Sequence, residues 1–114
     1  AGGHRAPAAT AARVEEQRQE GRAEHEVFRI IQEALTNAVR HSRAGQVTVS
    51  VANGNGLAVT ISDDGQGFEP DARLNRGRRL GLTSMRERAS VIGGRLTIAS
   101  SPGEGATVRL EVPS

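Results

Sequence analysis

The chain has 114 residues, enough for one domain with one core, and it has no cysteine, which excludes disulfides and thiolate zinc sites. No apolar run approaches the roughly 18 residues of a membrane span, and we find no signal-peptide pattern. The formal net charge is only +2, acidic residues are mixed among the arginines, and only Phe28 and Phe68 are aromatic, so we expect no nucleic-acid binding.

The first predicted element is an amphipathic helix behind a small, polar leader. Residues 1–23 are interpreted as a flexible leader or linker, in which 13–20 is either an edge strand or a helical lead-in that Gly21 interrupts. From residue 24 to about 43, apolar side chains recur at spacings of three and four, which predicts a helix with one buried face. Gly45 is expected to end this helix.

Alternation of apolar and polar residues predicts two pairs of strands. Segments 46–52 and 57–62 flank a turn rich in glycine and asparagine, which predicts an antiparallel hairpin. Segments 95–100 and 107–112 predict a second pair, joined by the turn at 101–105.

A polar connection and a second helix separate the two strand pairs. The connection at about 68–80 is expected to be a mobile lid, and the helix is predicted over 80–92, ended by Gly93 and Gly94. This order predicts an α/β (α+β) two-layer sandwich: a mixed, mainly antiparallel sheet with helices packed on one face. The domain is expected to span 24–114.

A polar face of the first helix contains candidate ligands. Glu33, Asn37 and either Arg40 or His41 lie three or four residues apart and therefore share one side of the helix. Carboxylate and amide oxygens are hard ligands of the kind that Mg²⁺ prefers, and the cationic side chains could meet phosphate oxygens. An ordinary solvated helix face remains the alternative.

Three further segments are rich in glycine. Asp63 ends an apolar strand, where its carboxylate could accept a hydrogen bond from an exocyclic amine, and Gly65 and Gly67 would let the backbone approach a flat ring. Gly81, placed just before the second helix, suggests anion binding at a helix N-terminus. A simple turn is the alternative for each of these segments, and for Gly103-Glu-Gly105.

Taken together and in order, these segments resemble the ATP-binding catalytic domain of bacterial sensor histidine kinases, within the group that includes gyrase, Hsp90 and MutL. EVFRIIQEALTNAVRHSRA resembles the N box, DDGQGF the G1 box, GLTSMRERA the G2 region and SPGEGATVRLEVP the G3 box. QEALTNAVRH with GLTSMRERA resembles the subfamily whose response regulators are of the nitrate-regulator type. The resemblance implies the Bergerat ATP-binding fold.

The resemblance also implies a role for each matching residue around Mg²⁺ and the triphosphate. Asn37 would hold Mg²⁺, and Glu33 would position magnesium-bound water or act as a base. Four residues would lie near the triphosphate: Arg40, His41, Gly81 and Leu82. One departure from the family pattern is Arg79, which stands where a glycine is usual two places before Gly81.

For the base, the resemblance implies that Asp63 binds the adenine amino group and that Gly65 and Gly67 shape the adenine wall. Gly105 and Thr107 would support Asp63 and the adenine from the far strand. Here the chain departs from the family pattern again, because Ala106 intervenes between Gly105 and Thr107.

The resemblance implies histidine kinase activity, in which an Mg-ATP module donates the γ-phosphoryl group to a histidine on a separate dimerisation domain of the parent kinase. A response regulator is implied as an indirect partner. None of His4, His25 and His41 lies in a recognisable acceptor helix, so the isolated module is expected to be inactive or very slow. We also expect the isolated module to be monomeric. We expect the module in the cytoplasm without direct membrane contact, whether or not the parent kinase is anchored to a membrane. The alternatives are a serine kinase of the anti-sigma-factor type, a non-catalytic nucleotide-responsive module and a structural domain.

Overall fold

A computed structural model describes residues 8–68 and 76–113 of the chain. These residues form two helices and four strands, and neither of the two helices has the length and apolar character needed to cross a membrane. In chain order the elements are α1 (Ala8–Arg40), β1 (Val47–Gly54), β2 (Gly56–Asp63), α2 (Arg76–Val91), β3 (Arg95–Ser100) and β4 (Ala106–Pro113).

The four strands form one sheet in the order β1-β2-β4-β3. Each neighbouring pair is antiparallel, so both predicted strand pairs are confirmed and the central pair joins β2 to β4. The register places Val59 opposite Leu110 and Ile61 opposite Val108. Directly opposed residues share a face, so this register sets one apolar face across the two central strands.

Both helices pack against that apolar face, and the predicted two-layer sandwich is confirmed. Ile30 of α1, Met85 of α2 and Leu110 of β4 are completely buried at the centre. The core contains small and aliphatic side chains with a single aromatic ring; its buried members are Ile30, Ala34, Val59, Ile61, Phe68, Leu82, Met85, Ala89, Val108 and Leu110.

Helix α1 differs from its prediction at both ends. It begins at Ala8, so residues 13–20 are helical and the edge-strand alternative is wrong. Gly21 does not interrupt the helix, because a single glycine costs only about 1 kcal/mol relative to alanine and good helix formers surround it. The helix ends at Arg40 rather than near Gly45, since Arg43 adopts a left-handed φ of 52°. The boundary between a leader at 1–23 and a domain at 24–114 stays a prediction.

Helix α2 begins at Arg76, earlier than predicted, so the last part of the predicted lid is its first turn. Residues 69–75 of that lid lie outside the described residues. The predicted stop is confirmed: Gly93 has φ 66° and the Gly94 amide donates to the Ala89 carbonyl at 2.8 Å. Such a left-handed residue, followed by a bond back across the last turn, is a common helix C-cap.

Candidate functional site

Asn37 lies on the side of α1 that faces the rest of the domain. Its side chain is buried, with a residue exposure of 9%, and its Oδ1 atom has no hydrogen-bond partner among the described residues. Buried polar atoms are almost always paired, because an unpaired one loses its water without compensation. Within the described residues, the Asn37 amide oxygen is therefore a buried acceptor that is available to a ligand.

Glu33, one helical turn before Asn37, lies against α2. A Cβ built on Gly81 would overlap Glu33 Oε1, so the Glu33 carboxylate approaches the α2 backbone where only glycine leaves room. Gly81 is buried and is the sixth residue of α2, not the residue before it. The prediction that Gly81 precedes the helix is therefore wrong, and Gly81 is not at the helix N-terminus, because the unpaired amides of a helix belong to its first turn. A role for Gly81 near the triphosphate stays a prediction.

The segment after β2 contains two acidic residues with different roles. Asp64 Oδ1 accepts hydrogen bonds from the Gly45 and Gln46 amides, at 2.8 and 2.9 Å, and so ties the chain after α1 to the end of β2. Asp63 Oδ1 accepts a bond from the Gly65 amide at 2.8 Å. That bond uses one oxygen of the half-buried Asp63 carboxylate, and the second oxygen is chemically able to accept a bond from a ligand.

The glycines of this segment are needed for close backbone packing. A Cβ on Gly65 would overlap the Ser42 carbonyl oxygen, and one on Gly67, which has φ 65°, would overlap the Ser101 carbonyl oxygen. A Cβ on Gly105, with φ 75°, would overlap the Asp63 carbonyl oxygen. The predicted residues Asp63, Gly65, Gly67 and Gly105 are thus brought together.

Thr107 does not join them. The register pairs Thr107 with Ser62, and their hydroxyl groups lie 3.2 Å apart. Side chains alternate between the faces of a strand, so these hydroxyls lie on the face opposite to the core. The residue opposite Asp63 is Ala106, and the structure therefore does not place Thr107 beside the Asp63 carboxylate.

The remaining predicted residues are Leu82, Arg40 and His41, and they lie in different environments. Leu82 is buried and packs in the hydrophobic core rather than lining an open surface. Arg40 is exposed in the last turn of α1, and His41 is half-buried immediately after it. The His41 amide donates to the Asn37 carbonyl at 3.0 Å, which places these two residues on adjoining turns.

Sequence reasoning missed Arg78, a buried cation beside Asp63. Its Nη2 donates to the Ser42 hydroxyl at 2.8 Å, and its guanidinium carbon lies 4.5 Å from the Phe68 ring centroid. Burial lowers the pKa of Arg78, and the negative charge of Asp63 opposes that shift. The spacing of residues 78, 82, 85 and 89 on the buried side of α2 is the signal that could have identified it.

The donor set fits a magnesium ion that is bound mainly through phosphate and water. No cluster of three or more His, Cys, Asp or Glu side chains able to hold a metal occurs within the described residues. Mg²⁺ needs no such cluster, because it keeps several waters and takes one or two protein oxygens. The unpaired Asn37 oxygen, with Glu33 one turn away, is a suitable pair for it.

Residues 22–114 match the family described as Histidine kinase-, DNA gyrase B-, and HSP90-like ATPase. The chain belongs to this family. Among curated proteins, it is 43% identical over 91 residues to the sensor histidine kinase LiaS of Bacillus subtilis and 41% identical over 91 residues to the sensor protein VraS of Staphylococcus aureus. Each alignment covers 79% of the chain but only 25% and 26% of the relatives, so the chain spans about a quarter of their length.

Solved structures show the same fold. The ATP-binding domain of PrrB from Mycobacterium tuberculosis superposes with a TM-score of 0.65 at 28% identity, covering 79% of the chain and 68% of that solved domain. Full-length ShkA, solved in complex with AMPPNP, gives a TM-score of 0.66 at 26% identity, covering 77% of the chain and 21% of ShkA. The chain thus has the α/β sandwich of the ATP-binding module of sensor histidine kinases.

Proposed function

We propose that the chain binds Mg-ATP and donates the γ-phosphoryl group to a histidine on a separate dimerisation domain of a parent kinase. The observation that carries this proposal is the buried Asn37 Oδ1 atom, which has no partner in the described part of the chain and lies on the helix turn next to Glu33. A buried acceptor held in this way is pre-positioned for a cation, because no hydrogen bond to a described residue must break before the cation binds.

In this proposal the chain's own residues mainly bind, orient and neutralise charge. Asn37 and Glu33 would hold the ion, which supplies charge neutralisation at the transferring phosphoryl group. Asp63 would accept a hydrogen bond from the adenine amino group through the oxygen that the Gly65 amide does not use. Arg40 and His41 would lie towards the phosphates. Their position just after Asn37, at the end of the same helix, supports this placement.

Glu33 would hold a water molecule of the magnesium shell or accept a proton during transfer. The contact with Gly81 supports a positioning role, because it fixes the carboxylate against the α2 backbone. Gly65, Gly67 and Gly105 would form the wall along the base through their close backbone packing. Thr107, on the other face of the sheet, would act only through Ser62.

The relatives support a parent kinase with further domains, because the chain spans only about a quarter of LiaS and VraS. Those two names favour histidine transfer over serine transfer or a non-catalytic role. We place the module in the nitrate-regulator subfamily on the QEALTNAVRH and GLTSMRERA segments, and in the cytoplasm, where ATP is available. A response regulator would receive the phosphoryl group from the parent's histidine, and the isolated module would be monomeric.

Calorimetric titration with Mg-ATP tests the proposal, with Asp63→Asn and Asp64→Asn as a matched pair. Both substitutions retain an oxygen that can accept from backbone amides, so both variants are expected to fold. Asp63→Asn should abolish binding, because an amide nitrogen would oppose the adenine amine, while Asp64→Asn should bind like the wild type. Saturable binding lost in both variants or in neither would refute the assigned adenine contact.

Transfer itself is tested by adding a separate histidine-bearing dimerisation domain together with labelled ATP. The expected product is acid-labile, since phosphohistidine hydrolyses in acid whereas phosphoserine does not. An acid-stable product would instead identify a serine kinase, and ATP binding without any labelled product would identify a non-catalytic module.

A further inference from the structure

Arg78 is a buried cation next to the proposed base-binding residues. It is only 7% exposed, although arginine is rarely buried unless it is paired. Among the described residues, its guanidinium interacts with the Ser42 hydroxyl at 2.8 Å, the Phe68 ring at 4.5 Å and the Asp63 carboxylate, which acts on it electrostatically. Ser42 follows α1, whereas Asp63 and Phe68 lie at and just after the end of β2, so Arg78 links the first turn of α2 to the ends of α1 and β2.

Those surroundings are chemically the ones that a purine base would use. A guanidinium is flat, it stacks on an aromatic face and it presents N–H donors in its plane. An aminopurine is also flat, stacks on the same kind of face and presents an exocyclic N–H donor. Phe68 supplies the aromatic face, and its amide is fixed by the Ser100 hydroxyl at 2.8 Å, so the ring is held in place for either occupant.

We propose that Arg78 is an internal substitute for the base: in the free protein its guanidinium lies over Phe68 and beside Asp63, at the position proposed for the base, and an adenine nucleotide must displace it. This inference rests on the proposed nucleotide-binding function. Arg78 then sets the fraction of molecules that are competent to bind, and the apparent dissociation constant rises as that fraction falls.

The anchoring of Arg78 explains how the free state is held. Ser42 is 1% exposed; its hydroxyl takes the bond from Arg78, and its carbonyl accepts from the Gln66 amide at 2.7 Å. Its own amide donates to the Asn37 carbonyl at 3.0 Å, so Ser42 is fixed on three sides. A rigid anchor of this kind keeps the guanidinium over Phe68 with little additional loss of side-chain freedom.

The test compares Arg78→Ala with Arg79→Ala by calorimetric titration with AMP and with Mg-ATP. Arg79 is the adjacent arginine on the same helix turn, but its side chain is exposed. The two variants therefore remove the same charge, and only Arg78→Ala removes the guanidinium that lies over Phe68. We expect Arg78→Ala to lower the dissociation constant of both nucleotides by about tenfold, as for a free protein that is about one-tenth open. Arg79→Ala should leave both constants near the wild-type values.

A second variant, Ser42→Ala, keeps the inference testable if Arg78→Ala fails to fold. It removes only the hydroxyl anchor, and it should tighten AMP and Mg-ATP in the same direction by about threefold, because the stacking on Phe68 remains. Wild-type binding that neither variant tightens would overturn this inference and leave the proposed function standing. A loss of Mg-ATP affinity with AMP unchanged would overturn it by making Arg78 a phosphate contact, and no nucleotide binding by any of these proteins would overturn both proposals.

Discussion

Gly81 of α2 lies directly against the Glu33 side chain of α1, and the space between them has no room for a Cβ atom. The contact joins two segments that are 48 positions apart in the sequence and that the family resemblance assigns to different motifs. A Cβ added at position 81 would meet the far end of the flexible Glu33 side chain. The main effect of a larger residue at position 81 is therefore to move the Glu33 carboxylate.

We therefore expect Gly81→Ala to reduce phosphoryl transfer to a supplied dimerisation domain by at least about tenfold, since sub-ångström to ångström misplacement of a reacting group is costly. Its melting temperature should change little, because alanine favours the helix by about 1 kcal/mol and offsets part of the steric cost. Gly21→Ala is the matched control: it is also within a helix, a Cβ there meets nothing within 4 Å, and transfer should be unchanged. Wild-type transfer by Gly81→Ala would contradict the role of Glu33.

Asn37→Ala should act through the metal. In the presence of Mg²⁺ we expect its ATP affinity to fall at least about tenfold, a loss similar to that for other residues that support metal sites. In EDTA the variant and the wild type should bind ATP equally, and calorimetry in both buffers measures the difference. Folding should be retained, because the backbone carbonyl of Asn37 makes the bonds to His41 and Ser42 and its Oδ1 makes none within the described chain. Equal losses in both buffers would count against a metal ligand.

The turn between β3 and β4 offers a matched pair of glycines. Gly103 and Gly105 have φ angles of 82° and 75°, but a Cβ on Gly103 meets nothing within 4 Å while one on Gly105 overlaps the Asp63 carbonyl. Gly103→Ala should lower the free energy of unfolding by about 1–2 kcal/mol, the cost of the left-handed backbone alone. Gly105→Ala should lower it by more than about 3 kcal/mol, because backbone atoms must also move. Urea denaturation measures both, and equal losses would show that the Asp63 contact carries no cost.

The Glu26–Arg88 ion pair joins α1 to α2, with atoms 3.0 Å apart and side-chain exposures of 14% and 29%. A double-mutant cycle to alanine should give a coupling free energy of about 0.5–1 kcal/mol at low salt, because partial burial limits screening. The Arg109–Glu111 pair, at 3.2 Å with exposures of 49% and 52%, is the control and should couple close to zero. Equal coupling in the two cycles would mean that burial does not strengthen the inter-helix pair.

Much of the fold could be predicted from local sequence patterns. Alternation marked all four strands, and three-four spacing marked the stripe around Ile30 and Ala34. The helix ends were harder to predict. Arg43 adopts a left-handed φ after α1, which the residue type does not predict, and the helix continues through Gly21 because its neighbours favour helix. Local propensity is weak at single positions, so tertiary packing sets such boundaries.

The sequence by itself determined the residue types of the site and the order of its segments, because short motifs record which chemistry the backbone and side chains can provide. Only the tertiary structure decided which of those residues meet. Strand register puts Ala106 rather than Thr107 opposite Asp63, and helix packing puts Gly81 against Glu33. Helix packing also buries Arg78, one of fifteen arginines, beside Phe68. Register and interhelical contact depend on residues distant in the chain, so no local pattern contains them.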